Sequence, residues 1–369
     1  EQLNATGFET EIVDDLKIDP SIVIGEVLSV EKHPNADKLN ICQVSVGQKT
    51  YNIVCGCKTV VDAKYVLVAP IGSQLPHMTL KAVEIRGVAS EGMLCSLQEL
   101  GLLEDSSGIF HVREEAVVGQ SLVEHLRHED KILEIDITPN RGDCLSIYGI
   151  ARDLAATMNK ALKPYPDHKA VLDGLKKSSD LLKVDSDQVY TYGAMRLSID
   201  PLAVTPLKMI NRLRQAGMGC NHVVVDILNY IMLEIGQPMH GFDAESLSLP
   251  LIIDQKEKQK CVLLDDSTYE SKSHDILVRD QKATHALAGV MGGYDSRMKP
   301  NSTQVQLESA VFAPSAIAKT LRQSKLSSDA SYRYERGVSS DLSEVALCYA
   351  AELLIKHTGA KLESYQLFS

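Results

Sequence analysis

The chain has 369 residues, of which 44% are hydrophobic, so it can bury the cores of roughly two or three domains. No stretch approaches the ~18 uninterrupted apolar residues of a membrane-spanning helix, and no basic segment followed by an apolar run marks a secretory signal. A net charge of −11 argues against gross electrostatic capture of nucleic acid. Because residue 1 is glutamate rather than methionine, we expect a fragment or a trimmed chain.

Eight cysteines are scattered along the chain, without a CxxC pair and without the spacing of metal ligands. In a chain of this length, that pattern is typical of reduced thiols in a cytosolic protein. The missing ligand spacing also argues against a zinc site. We therefore predict a cytoplasmic protein with no metal site, no membrane association and no DNA partner.

Short apolar runs separated by turn residues occupy the chain from Ile22 to about Val112. They are IVIGEVLSV (22–30), ICQVSV (41–46), YNIVC (51–55) and YVLVAP (65–70). Their spacing of roughly ten residues, without a helical period, predicts a small closed β barrel. Such barrels often bind oligonucleotides through one face and its loops, and a purely structural barrel is the alternative.

A helix is predicted after an unusual turn, Thr138-Pro139-Asn140-Arg141-Gly142-Asp143. Apolar residues at helical spacing fill residues 145–159, and Asp143 is a candidate cap for this helix. Residues 160–185 are richer in lysine, proline, aspartate and serine, and this composition predicts a surface connection.

Two further helices are predicted in the second half of the chain. Thr205-Pro206 supplies a favourable N-cap and first helical residue, and Gly217 ends that helix. The apolar segment from Val223 to Ile235 predicts the next helix, which Gly236 closes.

A final helix is predicted from about Leu342 to His357. Asp341 and Glu344 stand at the spacing of a capping box, and Gly359 is the stop signal. The strands predicted before it are LIID (251–254), CVLLD (261–265), ILVRD (276–280), HALAGVM (285–291) and VQLES (305–309). Helices alternating with strands predict an α+β domain with a largely antiparallel or mixed sheet.

Two polar residues are candidates for a site. His240 follows a helix stop, on a loop rimmed by glycine and proline, where it could reach into a cleft as a proton carrier or hydrogen-bond donor. Glu308 lies at the end of an apolar strand, where a carboxylate is costly unless it is paired or used. A histidine that bonds nearby backbone and a glutamate on the polar face of its strand are the alternatives.

The stretch Gly289-Val290-Met291-Gly292-Gly293 is not a phosphate-binding loop. It lacks the GxxxxGK[ST] and GxGxxG patterns, and no strand–loop–helix unit surrounds it. Adjacent glycines indicate a close approach of the backbone to a neighbour, or a plain bend between strands.

Three groups of segments resemble one known family, the beta subunit of bacterial phenylalanyl-tRNA synthetase. The first resembles the tRNA-binding OB barrel of several translation proteins, the second is the turn that follows this barrel, and the third resembles the editing domain of that subunit. They are His33 to Leu39 with Val54-Cys55-Gly56 and Ser90 to Leu94; Thr138 to Asp143; and Gly236 to His240 with Gly289 to Gly293 and Ser328 to Gly337. Their order and spacing agree with that family across nearly the whole chain.

The resemblance implies an α+β multidomain fold, in which an OB-fold β barrel is inserted in a small α+β module and a larger α+β editing domain follows. We expect the module in residues 1–18 with 129–166, the barrel in residues 19–128 and the editing domain in residues 180–369. The family's subunit continues beyond this chain, and no class II synthetase motif is present in these residues.

The resemblance also implies proofreading, in which tyrosine wrongly attached to phenylalanine tRNA is hydrolysed. A pocket shaped for phenylalanine rejects tyrosine by only about 100-fold, because an apolar wall excludes one added hydroxyl weakly. A second pocket that hydrogen-bonds this hydroxyl would leave its own polar groups unpaired with phenylalanine. Discrimination in that direction can reach roughly 10⁴–10⁵-fold.

By the resemblance, Glu308 receives the tyrosine hydroxyl, and Gly292 leaves room for the substrate ring. Gly293, Ser328 and Ala330 also belong to the substrate pocket, and Ala330 must stay small. Ser328 replaces a frequent threonine. His240 and Asn229 lie near the ester, where they would orient the attacking water or the terminal adenosine; with Glu308 they form the expected catalytic set.

The implied partners are tRNA(Phe) and the synthetase alpha subunit, in an α₂β₂ heterotetramer. We expect no cofactor in this chain, since ATP and Mg²⁺ serve the synthetic site of the full enzyme, in the alpha subunit. One alternative is a non-catalytic RNA-binding or assembly module. Another is a metal-dependent hydrolase that uses His240, His274 and His285, although no acidic residue stands at ligand spacing beside them.

Overall fold

The computed structural model describes residues 2–104, 108–113, 115–127, 131–165 and 168–369. The chain divides into two units. The barrel unit comprises Ile12–Glu134 and Pro206–Cys220, and the two-sheet unit comprises Glu1–Glu11, Ile135–Thr205 and Asn221–Ser369.

Most helices belong to the second half of the chain. In the described residues they are α1 (Gln2–Ala5), α2 (Leu122–Leu126), α3 (Ile147–Thr157), α4 (Leu207–Gln215), α5 (Val223–Ile235), α6 (Pro314–Ser324), α7 (Asp329–Tyr334) and α8 (Leu342–Thr358). Short 3₁₀ turns occupy Lys58–Asp62, Gly142–Cys144, Lys169–Leu172 and Ala244–Ser246.

The strands fall into two series. The first is β1 (Glu9–Val13), β2 (Val23–Lys32), β3 (Asn40–Ser45), β4 (Thr50–Cys55), β5 (Tyr65–Pro70), β6 (Gln74–Leu75), β7 (Met78–Thr79), β8 (Val83–Ile85), β9 (Val88–Ser90), β10 (Gly92–Leu94) and β11 (Ile132–Asp136). The second is β12 (Lys176–Lys177), β13 (Leu182–Asp185), β14 (Val189–Ser198), β15 (Met239–Asp243), β16 (Leu251–Gln255), β17 (Lys260–Val262), β18 (Thr268–Glu270), β19 (Ile276–Arg279), β20 (Thr284–Leu287), β21 (Met291–Gly292), β22 (Gln304–Phe312) and β23 (Lys361–Phe368).

The barrel unit contains a five-stranded antiparallel sheet in the order β10-β5-β2-β3-β4. Its two edges nearly meet, because the Glu91 amide donates to the Asn52 carbonyl over 2.8 Å and the Val54 amide donates to the Ser90 hydroxyl over 3.1 Å. Alternate residues of β3 and β4 point into the barrel and are buried. The predicted barrel is therefore confirmed, with all four predicted runs in its strands.

The loop His33 to Leu39 is attached to the hairpin of β8 and β9. Nδ1 of His33 accepts a hydrogen bond from the Asn35 amide over 3.1 Å, so Nε2 carries the ring proton and donates it to the Ile85 carbonyl at 3.0 Å. The Asn35 side chain donates to the Arg86 carbonyl over 3.1 Å. His33 and Asn35, which lie in the segment His33 to Leu39 that resembles the known family, thus stabilise the conformation of this loop.

The helix α4 is grouped with the barrel unit, although residues 206–220 were expected in the domain of residues 180–369. Leu207 and Ile210 are buried in the barrel unit's core beside Leu122 and Leu126. The expected module of residues 1–18 with 129–166 is likewise divided between the units at Glu11 and Ile135. The domain limits drawn from the sequence stay a prediction.

The two-sheet unit is built on two mixed sheets of five strands each, in the orders β12-β23-β14-β22-β15 and β13-β16-β19-β20-β21. The pairs β12–β23 and β13–β16 are parallel, and the other pairs are antiparallel. This agrees with the predicted α+β domain.

Side chains alternate between the two faces of the first sheet. On one face, Gly193 and Gly241 stand against Leu347 of α8 and Val224 of α5. On the other face, Tyr192, Phe242 and Ala310 are in the core that they share with the second sheet. The first sheet therefore lies between a layer of helices and the second sheet, and side chains on its second face are between the sheets.

The predicted helix from Val223 to Ile235 is confirmed as α5, which ends at Gly236 in the left-handed conformation. The expected cap of α3 is wrong. The N-cap is Ser146, whose hydroxyl accepts from the Gly149 amide over 3.0 Å, because Asp143 lies three residues earlier, in a 3₁₀ turn. Asp143 instead accepts hydrogen bonds from two arginines.

The predicted caps of two other helices are also wrong. α4 begins after Pro206, which is its N-cap, and the Thr205 hydroxyl bonds Asp226 instead. Asp341 stands at the N-cap position of α8, but it has helical backbone angles and its side chain makes no capping hydrogen bond. The predicted capping box therefore does not form. The stop of α8 at Gly359 is confirmed.

The five predicted strands of the second half are present with altered limits. β17 ends at Val262 and β20 at Leu287, because turns follow both strands. β22 extends to Phe312, where it still pairs with β14, so Glu308 lies in the middle of its strand rather than at the end. β14 and β23, which are neighbours in the first sheet, were not predicted from the sequence. The loop expected around His240 is wrong, because Met239–Asp243 pairs with β22 as strand β15. Residues 160–185, expected as a surface connection, contain the strands β12 and β13.

Candidate functional site

Glu308 lies in β22 on the face between the two sheets. In the register, Ala194 of β14 stands opposite it on one side and His240 of β15 on the other. Only 6% of the residue is exposed. Burial raises the pKa of Glu308 from 4.5 to about 7, although a hydrogen bond from Tyr192 acts in the opposite direction. Both protonation states of this carboxyl are therefore accessible near neutral pH.

Tyr192 of β14 is the described hydrogen-bond partner of Glu308. Its ring is fully buried, and its hydroxyl donates to Oε2 of Glu308. Burial and the neighbouring Glu308 charge both raise the pKa of this phenol, so Tyr192 stays protonated at neutral pH. Tyr192 could not be identified from the sequence, since only the pairing of β14 with β22 brings it to Glu308.

His240 stands beside Glu308 with a neutral imidazole. Its ring contacts Phe242 edge to face at a centroid distance of 4.4 Å. Burial lowers the pKa of His240 to about 4, because no described group compensates the charged form. The Nε2 atom is buried and has no hydrogen-bond partner among the described residues. A buried polar atom without a partner is costly, and it marks a place where a ligand or water can bind.

Gly292 lies against the imidazole of His240. A Cβ on this residue would be 2.4 Å from Cε1 and 2.8 Å from Nε2 of His240, so any side chain would displace the ring. The space beside Gly292 is thus occupied by His240. At Gly293, a Cβ would lie 2.7 Å from the His285 carbonyl, which accepts the amide hydrogen of Gly293 over the same distance.

Ser328 and Ala330 lie at the start of α7. The Ser328 hydroxyl donates to the Val290 carbonyl over 2.7 Å and accepts from the Ser331 amide over 3.1 Å, which completes a capping box with Ser331. This hydroxyl thus joins α7 to the glycine-rich turn. Ala330 is half-buried and packs against the core between the sheets.

Asn229 is half-buried on α5. This helix covers the opposite face of the first sheet from Glu308 and His240, as the approach of Val224 and Leu228 to Gly241 shows. No hydrogen bond between Asn229 and either residue is present in the described part of the chain. The structure brings Glu308, His240 and Gly292 together, whereas Asn229 is in a different layer.

The backbone that leads into β15 is fixed by two buried side chains. Nε2 of Gln237 donates to the carbonyls of Pro238 and Ala310 over 2.9 and 2.8 Å. The Tyr334 hydroxyl lies 3.0 Å from the same two oxygens. The segment Gly236 to His240 and the segment Ser328 to Gly337 therefore meet at one point, and together they set the position of His240.

The turn from Thr138 to Asp143 packs against the end of α7. A Cβ on Gly142 would be 2.9 Å from Cβ of Arg336, and Nε of Arg333 donates to the Leu145 carbonyl over 3.1 Å. A cavity of about 450 Å³ lies beside this contact, lined by residues that include Asn140, Arg336 and Tyr165. The turn thus joins the N-terminal part of the two-sheet unit to the segment that carries Ala330.

Among the residues that the structure describes, the one group with metal-ligand distances is Asp143, Cys144 and Asp153. Arg141 bonds all three, so its guanidinium already occupies the position that a cation would take. The histidines of the metal-hydrolase alternative are not such a group in this part of the chain. Nε2 of His274 lies 3.3 Å from Asp275, and Nε2 of His285 lies 3.0 Å from Asp280.

In the described part of the chain, no helix is both long and apolar enough to span a membrane.

Two family models match the chain. A model described as a putative tRNA binding domain matches residues 22–121, which contain the barrel, and a model described as a B3/4 domain matches residues 188–359, which contain Glu308 and His240. The fold and the site therefore define a protein in which an OB-type tRNA-binding domain precedes a B3/4 α+β domain.

Curated relatives give the particular family. Phenylalanine–tRNA ligase beta subunits from Francisella tularensis, Coxiella burnetii and Pseudomonas fluorescens are 36%, 37% and 39% identical over 367, 362 and 363 residues. These alignments cover 98%, 97% and 97% of this chain and 46% of each relative, so the chain spans about half the length of the relatives it matches. The chain belongs to the phenylalanine–tRNA ligase beta-subunit family.

A solved N-terminal fragment of the phenylalanyl-tRNA synthetase beta subunit from Pyrococcus horikoshii is similar over 64% of this chain and 63% of that chain. Its sequence is 16% identical to this chain, and the TM-score of the two structures is 0.35.

Proposed function

We propose that the two-sheet unit hydrolyses tyrosine wrongly esterified to tRNA(Phe), as the proofreading part of a phenylalanine–tRNA ligase. One observation carries this proposal. A buried carboxyl with a raised pKa and a buried imidazole nitrogen without a partner stand opposite each other on neighbouring strands, between two sheets. Perturbed titratable groups of this kind are concentrated at functional sites.

Selectivity comes from Glu308. Its Oε2 accepts from Tyr192, and no described residue bonds Oε1, so the carboxyl can accept a hydrogen bond from the phenol of a tyrosyl group. A phenylalanyl group would bury this oxygen without a partner, which costs about 1–3 kcal/mol, and more when the carboxyl is charged. The site therefore binds the wrong amino acid and rejects the correct one.

In the reaction, water adds to the ester carbonyl, the bond from the acyl carbon to the ribose oxygen breaks, and tyrosine and uncharged tRNA leave. With a pKa of about 4, His240 is a weak base at pH 7. We therefore assign it to orienting the water or the terminal adenosine through Nε2, and we keep Asn229 as a candidate for the same task. The ester is activated, so positioning and polarisation are enough without a covalent nucleophile.

The pocket walls are assigned to the remaining predicted residues. Gly292 and Ala330 are assigned to the pocket wall as small residues that leave room for the substrate, and Gly293 is assigned to the same wall, where it allows the close approach to the His285 carbonyl. Ser328 holds α7 against Val290 so that Ala330 stays in place. The His240 ring now lies in the space beside Gly292, so a substrate ring there requires the imidazole to turn.

The barrel unit is proposed to contact tRNA(Phe), because the matched family model covers this unit's strands. The full enzyme is proposed to pair with the alpha subunit in an α₂β₂ assembly in the cytoplasm, where ATP and Mg²⁺ serve aminoacylation. These assignments follow from the relatives, of which this chain spans about half.

The alternative is a non-catalytic RNA-binding or assembly module. The observation that favours it is the imidazole of His240 in the space assigned to the substrate ring. Deacylation assays with tyrosyl-tRNA(Phe) and phenylalanyl-tRNA(Phe), at chain concentrations that saturate tRNA binding, separate the two functions. Selective loss of the tyrosyl ester supports editing, and stable esters on bound tRNA support the alternative.

A further inference from the structure

The carboxyl of Glu308 is held by a phenol of the protein itself. Tyr192 stands opposite Ala310, and Ala194 stands opposite Glu308, so Tyr192 is the diagonal neighbour of Glu308 on the same face of the sheet. An aromatic side chain can reach a diagonal neighbour across two antiparallel strands. On β14, the small Ala194 leaves the position directly opposite Glu308 without a bulky side chain.

The two oxygens of Glu308 therefore differ. Oε2 accepts from Tyr192, whereas no described residue donates to Oε1. A carboxylate offers about four acceptor sites on two oxygens, so it can accept from two phenols at once. The described bond from Tyr192 is the same interaction that a bound tyrosyl group would make, so a phenol demonstrably fits against this carboxyl.

We infer that Tyr192 determines the specificity of the site, because it holds Oε2 of Glu308 and thereby presents Oε1, as an ionised acceptor, to the hydroxyl of the bound amino acid. This inference rests on the proposed function. Tyr192 is a positioning residue, since it acts through Glu308 and not on the ester.

The protonation state of Glu308 determines how strongly Glu308 and Tyr192 together favour the tyrosyl ester over the phenylalanyl ester. Among the residues that the structure describes, the titratable groups that face Glu308 are Tyr192 from β14, His240 from β15 and Tyr334 from α7. Tyr192 and Tyr334 keep their protons, and His240 is neutral at pH 7, because burial shifts the pKa of each in that direction. Selectivity should therefore rise with pH through about 7, as the carboxyl ionises.

The test compares Tyr192→Phe with Tyr349→Phe in the full chain. Both changes remove one phenol hydroxyl that donates to a glutamate of the two-sheet unit, but Tyr349 of α8 bonds Glu234 of α5, and only Tyr192 bonds Glu308. We expect Tyr192→Phe to lower the ratio of kcat/KM for tyrosyl-tRNA(Phe) over phenylalanyl-tRNA(Phe) by about tenfold or more at pH 7, because a hydrogen bond to a charged group is lost. The rate with the phenylalanyl ester should stay within about threefold of the parent chain, and Tyr349→Phe should leave the ratio unchanged.

The pH profile supplies a readout that a merely structural role would not move. In Tyr192→Phe, the midpoint of the rise in selectivity should shift upward by about one pH unit, since the bond that favours the ionised form is gone. An unchanged ratio and midpoint, or an equal loss with both esters, would overturn the inference.

A second measurement does not depend on activity. The carboxyl carbon of Glu308 can be followed by NMR in chain labelled at glutamate and assigned by its absence in Glu308→Gln. We predict a higher pKa of Glu308 in Tyr192→Phe and no change in Tyr349→Phe. If the parent chain hydrolyses neither ester, the proposed function fails, and this titration still decides whether Tyr192 controls the carboxyl.

Discussion

Ionisation of Glu308 should destabilise the two-sheet unit as the pH rises. The pKa of this carboxyl is about 7 in the folded chain and 4.5 in the absence of burial. Between these values the folded chain holds a proton that the unfolded chain has released, so the free energy of unfolding falls with rising pH. The contribution is fully present below pH 4.5 and is lost once the pH passes 7.

The size of the effect follows from the same values. Each unit of pKa corresponds to about 1.4 kcal/mol, so about 3 kcal/mol should be lost between pH 5 and pH 8. Glu308 is almost completely buried, and solvent therefore screens this cost little. A loss of this size is a large fraction of the stability of an ordinary domain.

The assay is urea unfolding, followed by circular dichroism at pH 5 and pH 8, of the parent chain and Glu308→Gln. The amide cannot ionise, so the difference in unfolding free energy between the two proteins should change by about 3 kcal/mol in favour of the variant at pH 8. Glu270→Gln, which removes an exposed carboxyl of β18, is the matched control and should give a constant difference. Parallel pH dependences for the parent chain and Glu308→Gln would refute the reasoning.

Three substitutions test close packing, two at the site and one at the start of α3. Gly292→Ala places a methyl 2.4 Å from the ring of His240, so we expect a loss of about 1–3 kcal/mol in urea unfolding and a displaced imidazole signal in NMR. Gly149→Ala places a methyl 2.0 Å from the Asp143 carbonyl, where backbone must move, so thermal unfolding should show a loss of at least about 3 kcal/mol. Ala330→Trp should fill the pocket and abolish deacylation of tyrosyl-tRNA(Phe) while tRNA binding, measured by filter retention, is retained.

Two conservative substitutions serve as controls for these variants. A Cβ on Gly219 meets open space, so Gly219→Ala should alter unfolding by less than about 0.5 kcal/mol. Ala330→Ser adds one atom and should keep most of the activity. Equal stability of the parent chain and Gly149→Ala would contradict the close contact, and an active Ala330→Trp would show that the pocket is misplaced.

Elements whose limits depend on neighbouring residues in the sequence could be predicted from those residues. The helix from Val223 to Ile235 carries an apolar run with a glycine stop, and both limits match α5. The cap of α3 was misassigned because the chain makes a 3₁₀ turn first, and a sequence with Asp143 and Ser146 three residues apart does not show which one comes directly before the helix.

The strands β14 and β23 could not be predicted in the same way. β14 pairs with β22 and β23, and both of these strands lie more than 100 residues further along the chain. The burial of Tyr192 exists only through the pairing of β14 with β22. Glu308 and His240 could be named as candidates from their flanking residues, but their cross-strand pairing and the bond from Tyr192 depend on the register of three strands. Asn229 was grouped with them from the resemblance, whereas the structure gives it to the helical layer.

The central claim is that this chain removes tyrosine from tRNA(Phe) at the site of Glu308. The most direct test is the hydrolysis of tyrosyl-tRNA(Phe) and phenylalanyl-tRNA(Phe) by the parent chain and by Glu308→Ala, in samples where tRNA binding is measured and saturated. We predict rapid loss of the tyrosyl ester alone with the parent chain, and a loss of this preference with Glu308→Ala. Stable esters on fully bound tRNA, or the same preference in both proteins, would contradict the claim.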